Sequence, residues 1–149
     1  MNHEYKKWAL VTGGAKRIGA TIAETLHNKG FNVAIHYNSS SDTADQLCAQ
    51  LNAKKQDSSI AIGADLTDQD SLECLIPLLI KKTKRLDVLV NNASTFYPTP
   101  IEKITLEDWD NLLGTNLKAP LFLSKYAAQY LKQSQGIIIN IIDMSLIHI

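Results

Sequence analysis

The sequence has no excess of either charge. Its 15 lysines and arginines balance 15 aspartates and glutamates, so there is no basic field to gather nucleic acid or an acidic membrane surface. Cysteine is scarce: Cys48 and Cys74 lack metal-ligand spacing. Both fall in helical patterns and read as buried free thiols of a reducing compartment. Long apolar runs are missing too. The opening MNHEYKKWALV holds none, and the longest later run, residues 136–142, contains Asn140. No signal peptide or membrane-spanning segment is visible, and a cytoplasmic protein is expected. No repeat or low-complexity tract breaks the 149 residues. They read as one domain, long enough to bury a core.

What is present is an alternation. Short β-like runs at residues 8–12, 31–37, 59–63, 86–90 and 136–142 are separated by helix-period stretches. The first stretch puts Ile18, Ile22 and Leu26 on one face and stops at Gly30. The second, behind a cap by Ser41 or Asp42, carries Ala44, Leu47, Cys48 and Leu51. The third, capped by Asp68, shows Leu72, Leu75, Ile76 and Leu79, with Pro77 as a local irregularity. A long helical region covers residues 105–132. Strands separated by helices imply right-handed crossovers and a parallel sheet covered on both faces, a doubly wound α/β domain. Ligands of such sheets bind at the carboxyl ends of the strands.

The polar motifs fall at those ends. Gly13 and Gly19, in the stretch TGGAKRIG, lie between the first strand and the first helix, where free N–H groups and the helix dipole favour a diphosphate. Arg17 occupies a place where glycine is the easier residue. The second strand ends in His36, Tyr37, Asn38, Ser39 and Ser40, with no acid before Asp42. An NAD site has an acid about there; polar groups with Lys16 or Arg17 suit a 2′-phosphate, so NADPH is expected. Asp65 either accepts from an adenine amino group or caps a turn. Asn91 and Asn92 end the fourth strand, where amides must bind something: neighbouring strands, the cofactor, or both. Ile18, Leu66, Ala93 and Ser94 complete the expected cofactor contacts.

Thr12–Gly19, the Asn91-Asn92-Ala93 run and Asn116, in this order, resemble the short-chain dehydrogenase/reductases, whose dinucleotide-binding domain is the Rossmann fold. Lys16-Arg17, His36-Tyr37 and the run from Asn91 through Phe96 to Pro100 resemble the pteridine reductases and dihydromonapterin reductases within that family. The resemblance covers residues 9–143. It implies NADPH-dependent hydride transfer to a pterin or dihydropterin C=N bond. It gives Arg17 a double role, over the cofactor diphosphate and on the pterin. Phe96 stacks on the pterin, Ser94 bonds pterin or cofactor, and Asn116 sits at a helix irregularity in the proton relay. Asp143 supports proton delivery. A homotetramer packing through the long helices is implied.

The same resemblance implies a longer chain carrying a Tyr-x-x-x-Lys pair. None follows Asp143; Tyr126 and Tyr130 read as helix-surface or interface residues, and His148 alone is no replacement acid. The expectation is a fold incomplete on its C-terminal side, residues 1–149 being the NADP-binding part of a truncated and inactive form, with residues 137–142 left as an exposed apolar edge. The alternatives are a reductase of another carbonyl substrate, a non-catalytic nucleotide-binding module, and an interaction protein that pairs through the fifth strand.

Overall fold

A computed structural model describes residues 6–142. Strands β1 (Trp8–Val11), β2 (Asn32–Tyr37), β3 (Ser59–Gly63), β4 (Val88–Asn91) and β5 (Ile137–Asn140) form a parallel sheet in the order β3-β2-β1-β4-β5. Helices α1 (Arg17–Asn28), α2 (Ser41–Lys54), α3 (Gln69–Thr83), α4 (Leu106–Leu113) and α5 (Ala119–Ser134) link them. This is the doubly wound, Rossmann-like arrangement expected.

Alternation along each strand builds two cores. Ala9, Val11, Val33, Ile35, Val88 and Val90 face Ala23, Leu47 and Leu51 of α1 and α2. Leu10, Ala34, Ile62 and Leu89 face Leu72, Leu75, Ile76, Leu79, Leu123 and Leu131 of α3 and α5. The central strands are apolar along most of their length because both faces are covered, and their buried polar residues, Asn32, His36 and Asn91, lie at or near strand ends. Every residue of β1 and β4 is buried, whereas all of β5 is exposed at the sheet edge.

Several local expectations are corrected. The buried stripe of α1 is Gly19, Ala23 and His27, and Ile18 is 65% exposed. Small residues let this helix lie close to the sheet, which moves the contact line by one position. Neither Ser41 nor Asp42 caps α2: Ser41 is its first residue and Ser40, its N-cap, makes no side-chain cap bond. Cys74 is exposed on α3, although Cys48 is buried. Pro77 lies inside α3 on its exposed side without ending it, and Asp68 caps that helix by accepting the Ser71 N–H at 2.8 Å. Tyr126 and Tyr130 are half-buried and pack against the α3–α5 core.

The long helical region is not uniform. A π-helical turn, Gly114–Lys118, separates α4 from α5. Pro120 follows it in the first turn of α5. Having no N–H, proline cannot return a bond to the Asn116 carbonyl, so a widened turn is tolerated there.

Candidate functional site

At the carboxyl ends of β1 and β4 the connections diverge to opposite sides of the sheet, and a crevice opens. The turn after β1 forms its floor. Gly13 adopts φ +59°, and a Cβ there would press on Ala93 Cα at 3.1 Å. A Cβ on Gly19 would overlap the Gly13 carbonyl oxygen and stand 2.7 Å from Asn92 Nδ2. The turn therefore packs backbone on backbone, which only glycine allows.

Thr12 and Asn92 fix this packing. The Thr12 hydroxyl accepts the N–H groups of Asn92 (2.9 Å) and Ala93 (3.0 Å) and donates to the Val90 carbonyl. Asn92 Nδ2 donates to the carbonyls of Thr12 (2.9 Å) and Gly13 (3.3 Å). Asn91 spends its amide on strand stitching, donating to Asn140 Oδ1 at 2.8 Å and to Ser124 Oγ at 3.4 Å. Its own Oδ1 is buried without a partner. Thr12 carried no signal of its own in the sequence. Its role comes from residues about 80 positions later, beyond the reach of any local pattern.

Arg17 has φ +52°. A left-handed backbone at a residue with a Cβ costs about 1–2 kcal/mol. Arg17 is an exposed residue at the wall of the crevice. Strain held in a turn that elsewhere uses Gly13, Gly14 and Gly19 points to the side chain as the reason for the residue.

Two adjoining cavities occupy the crevice. One, of about 400 Å³, is walled by twelve of the fifteen expected cofactor residues: Gly13, Lys16, Arg17, Ile18, Gly19, His36, Asn38, Asp65, Leu66, Asn92, Ala93 and Ser94, joined by Thr95 and Thr115. Tyr37, Ser39 and Ser40 do not line it. The other, of about 540 Å³, shares Ala93, Ser94 and Thr95 with the first and adds Phe96, Asn116 and an apolar wall of Leu117, Leu121, Ile141 and Ile142. Leu117 and Leu121 were not singled out from the sequence, where they are indistinguishable from core positions, and Ile141 and Ile142 were expected only as part of an exposed apolar edge. Asp143 and His148 lie outside the described residues.

Individual groups have definite jobs. Asp65 accepts the Thr67 hydroxyl (2.7 Å) and N–H (2.9 Å). These bonds hold its carboxyl below the usual carboxylate range, the hydroxyl contributing most. Of its two readings, the turn cap is thus made within the chain. Asn116 bonds Thr95 with both ends of its amide: Nδ2 donates to the Thr95 carbonyl at 2.7 Å, and Oδ1 accepts the Thr95 N–H at 3.2 Å, leaving one N–H and one lone pair for another partner. It clamps the loop after β4 to the π-helical turn. His36 is buried and both its ring nitrogens bond to backbone groups. Burial holds its pKa below 6.5, against the opposing pull of the Ala64 carbonyl and Asp65.

The groove fits a dinucleotide: it has a glycine cradle with no room for a Cβ, cations at its rim and no acid among the residues that end β2. Among the described residues no cluster of histidine, cysteine and acids could hold a metal ion, and no helix is long and apolar enough to cross a membrane.

Comparisons with known proteins agree with this geometry. Pteridine reductase 1 of Leishmania tarentolae is 38% identical over 152 residues, spanning 81% of this chain and 53% of that protein. A 3-oxoacyl-(acyl-carrier-protein) reductase FabG of Staphylococcus aureus is 37% identical over 136 residues, spanning 91% of this chain and 55% of that protein. A hydroxynaphthalene reductase of Aspergillus fumigatus is 35% identical, with 89% of this chain and 48% of that protein covered. Among solved structures, a blue fluorescent protein from a metagenomic library, in complex with NADPH, superposes with a TM-score of 0.84 at 34% identity, over 90% of this chain and 54% of that one. The chain spans about half the length of the curated relatives it matches. Residues 7–145 match the short chain dehydrogenase model, and the chain belongs to that family of oxidoreductases.

Proposed function

We propose that this chain is the NADPH-binding part of a reductase that passes hydride to a pterin or dihydropterin C=N bond, with a proton delivered to the nitrogen. Bound NADPH would supply the hydride. Gly13, Gly19 and Arg17 would hold its diphosphate. Lys16, Asn38 and the neighbouring Ser39 and Ser40 would meet the 2′-phosphate. Asp65, Leu66 and Ala93 would border the adenine side and the crevice floor. Phe96, 58% exposed, would offer its face to the flat heterocycle in the larger cavity, with Ser94 at the junction of the two spaces. Asn116 would orient that loop and, with Asp143, would serve the proton path.

The observation that carries this reading is Arg17, held in a left-handed conformation in the glycine turn at the wall of the cavity. A planar cation suits both a phosphate and a nitrogen heterocycle. The 38% identity to a pteridine reductase supports it. A second reading, a reductase of another carbonyl substrate, is favoured by the 37% identity to a 3-oxoacyl reductase. No tyrosine in the sequence is followed four residues later by lysine, so these 149 residues alone would bind NADPH without turnover. The reading includes a cytoplasmic setting, in line with the free thiols of Cys48 and Cys74, and a homotetramer for the full enzyme.

The test is a fluorescence titration of the chain with NADPH, then of the complex with dihydrobiopterin and with a 3-oxoacyl thioester. Saturable NADPH binding followed by pterin binding that Phe96→Ala weakens is the expected result. Thioester binding without pterin binding selects the second reading. No NADPH binding removes both.

A further inference from the structure

The side chain of His36, near the end of β2, is buried at 2% exposure. Nδ1 accepts the Gly13 N–H at 3.1 Å, and Nε2 lies 3.0 Å from the Ala64 carbonyl oxygen. An amide N–H only donates and a carbonyl oxygen only accepts. Both contacts are hydrogen bonds in a single state, the neutral ring with its hydrogen on Nε2. The backbone repeats the pattern: the Gly14 N–H donates to the His36 carbonyl at 2.9 Å, and the Ala64 N–H to the Tyr37 carbonyl at 3.0 Å. One side chain thus fastens the glycine turn after β1 to the loop after β3, across β2. Gly13 is gripped on both polar groups, its N–H by His36 and its carbonyl by Asn92.

Both arms of this bridge end at the cofactor groove, the first at the diphosphate turn and the second next to Asp65 and Leu66. Resting on the NADPH reading, we infer that His36 is a positioning residue, whose neutral ring holds the glycine turn and the Ala64–Leu66 loop in one preformed groove for the two ends of the dinucleotide. With both nitrogens spent on backbone, the ring does not bind the 2′-phosphate. No other single side chain makes both bonds: asparagine places an acceptor near the Nδ1 position, and glutamine places a donor near the Nε2 position. Protonation would set an Nδ1–H against the Gly13 N–H and break the first arm. The charged groups nearby are Asp65, which favours the protonated ring, and Lys16 and Arg17 in the same cavity wall, which oppose it. Burial outweighs Asp65, so the bridge is intact at neutral pH and opens in acid.

The experiment uses the 149-residue chain as wild type, H36N, H36Q and H36F. NADPH affinity is measured by fluorescence at several pH values. Exchange of the Gly13 amide and the imidazole nitrogen shifts are measured by NMR without ligand. At pH 7.5, H36F should bind NADPH about tenfold more weakly, from the unpaired Gly13 N–H, with H36N and H36Q between it and wild type. The wild-type to H36N affinity ratio should fall as pH drops, a comparison that cancels the titration of the 2′-phosphate itself. Gly13 exchange should speed up in H36Q and H36F but not in H36N. Equal NADPH affinity in wild type and H36F overturns the inference. So does unchanged Gly13 exchange in H36F, or a wild-type ring protonated on Nδ1. If H36F does not fold, H36N and H36Q indistinguishable from wild type in both measurements overturn it. Loss of Gly13 protection in H36F, with no NADPH binding by wild type, upholds the bridge and rejects the cofactor reading.

Discussion

Replacing Arg17 by glycine separates the cost of the residue from its use. Its φ of +52° costs a residue bearing a Cβ about 1–2 kcal/mol. Glycine removes that cost but gives the unfolded chain more freedom, which takes back about 0.5–1 kcal/mol. The net change is a stabilisation of about 0–1.5 kcal/mol, or up to about 6 °C in Tm for a chain of this size. The guanidinium, if it lies on the diphosphate, contributes charge-assisted bonds worth about 1.5–3 kcal/mol. Arg17 is exposed, so solvent screening favours the lower end, and NADPH affinity should fall about tenfold. Thermal unfolding and an NADPH titration of wild type, Arg17→Gly and Arg17→Ala read both quantities. The alanine variant keeps the strained backbone and loses the charge, so its affinity should fall without a gain in Tm. A glycine variant that binds NADPH as tightly as wild type refutes the role of the guanidinium. One that melts lower refutes the strain argument.

Gly19→Ala places a methyl group on the Gly13 carbonyl and near Asn92 Nδ2; it should cost about 1–3 kcal/mol by overpacking and abolish NADPH binding, and a normal melting curve with normal binding would contradict the backbone packing described. Leu123→Ala, at the buried centre of the α3–α5 core, should lower stability by about 2–5 kcal/mol in denaturant titration. Burial first, and for His27 also Lys55 and Lys54, lowers the pKa of His27 and His36 from 6.5. Below pH 6.5 the unfolded chain then binds more protons than the folded one, so stability falls as pH drops toward the folded values. Tm should be lower at pH 5.5 than at pH 7.5, and His36→Asn should reduce that difference; a Tm that rises in acid would contradict the assignment. Asp65 and Asp68, lowered from 3.8 by their turn and cap bonds, add their loss only in stronger acid.

The sequence by itself determined the layering. Apolar runs too continuous for a half-exposed strand, alternating with helix-period stretches, require a parallel sheet with both faces covered, and Leu72 to Leu79 or Ala44 to Leu51 are buried where their spacing puts them. It also marked where the crevice forms, because glycine turns and paired asparagines stand out against such runs. Tertiary structure decided what each polar group does. His36 looks like a ligand in a polar stretch, yet its partners, Gly13 and Ala64, come from two other strand ends. Thr12 and Asn92 bond across about 80 residues of chain. Asn116 bonds the backbone of Thr95, 21 residues earlier. Ile18 has the periodicity of a core residue and stands in the open because glycine, not isoleucine, meets the sheet beside it. Periodicity reports the environment averaged over a face, whereas a hydrogen bond depends on which strand ends the sheet order makes neighbours, and that order follows from packing the whole chain at once.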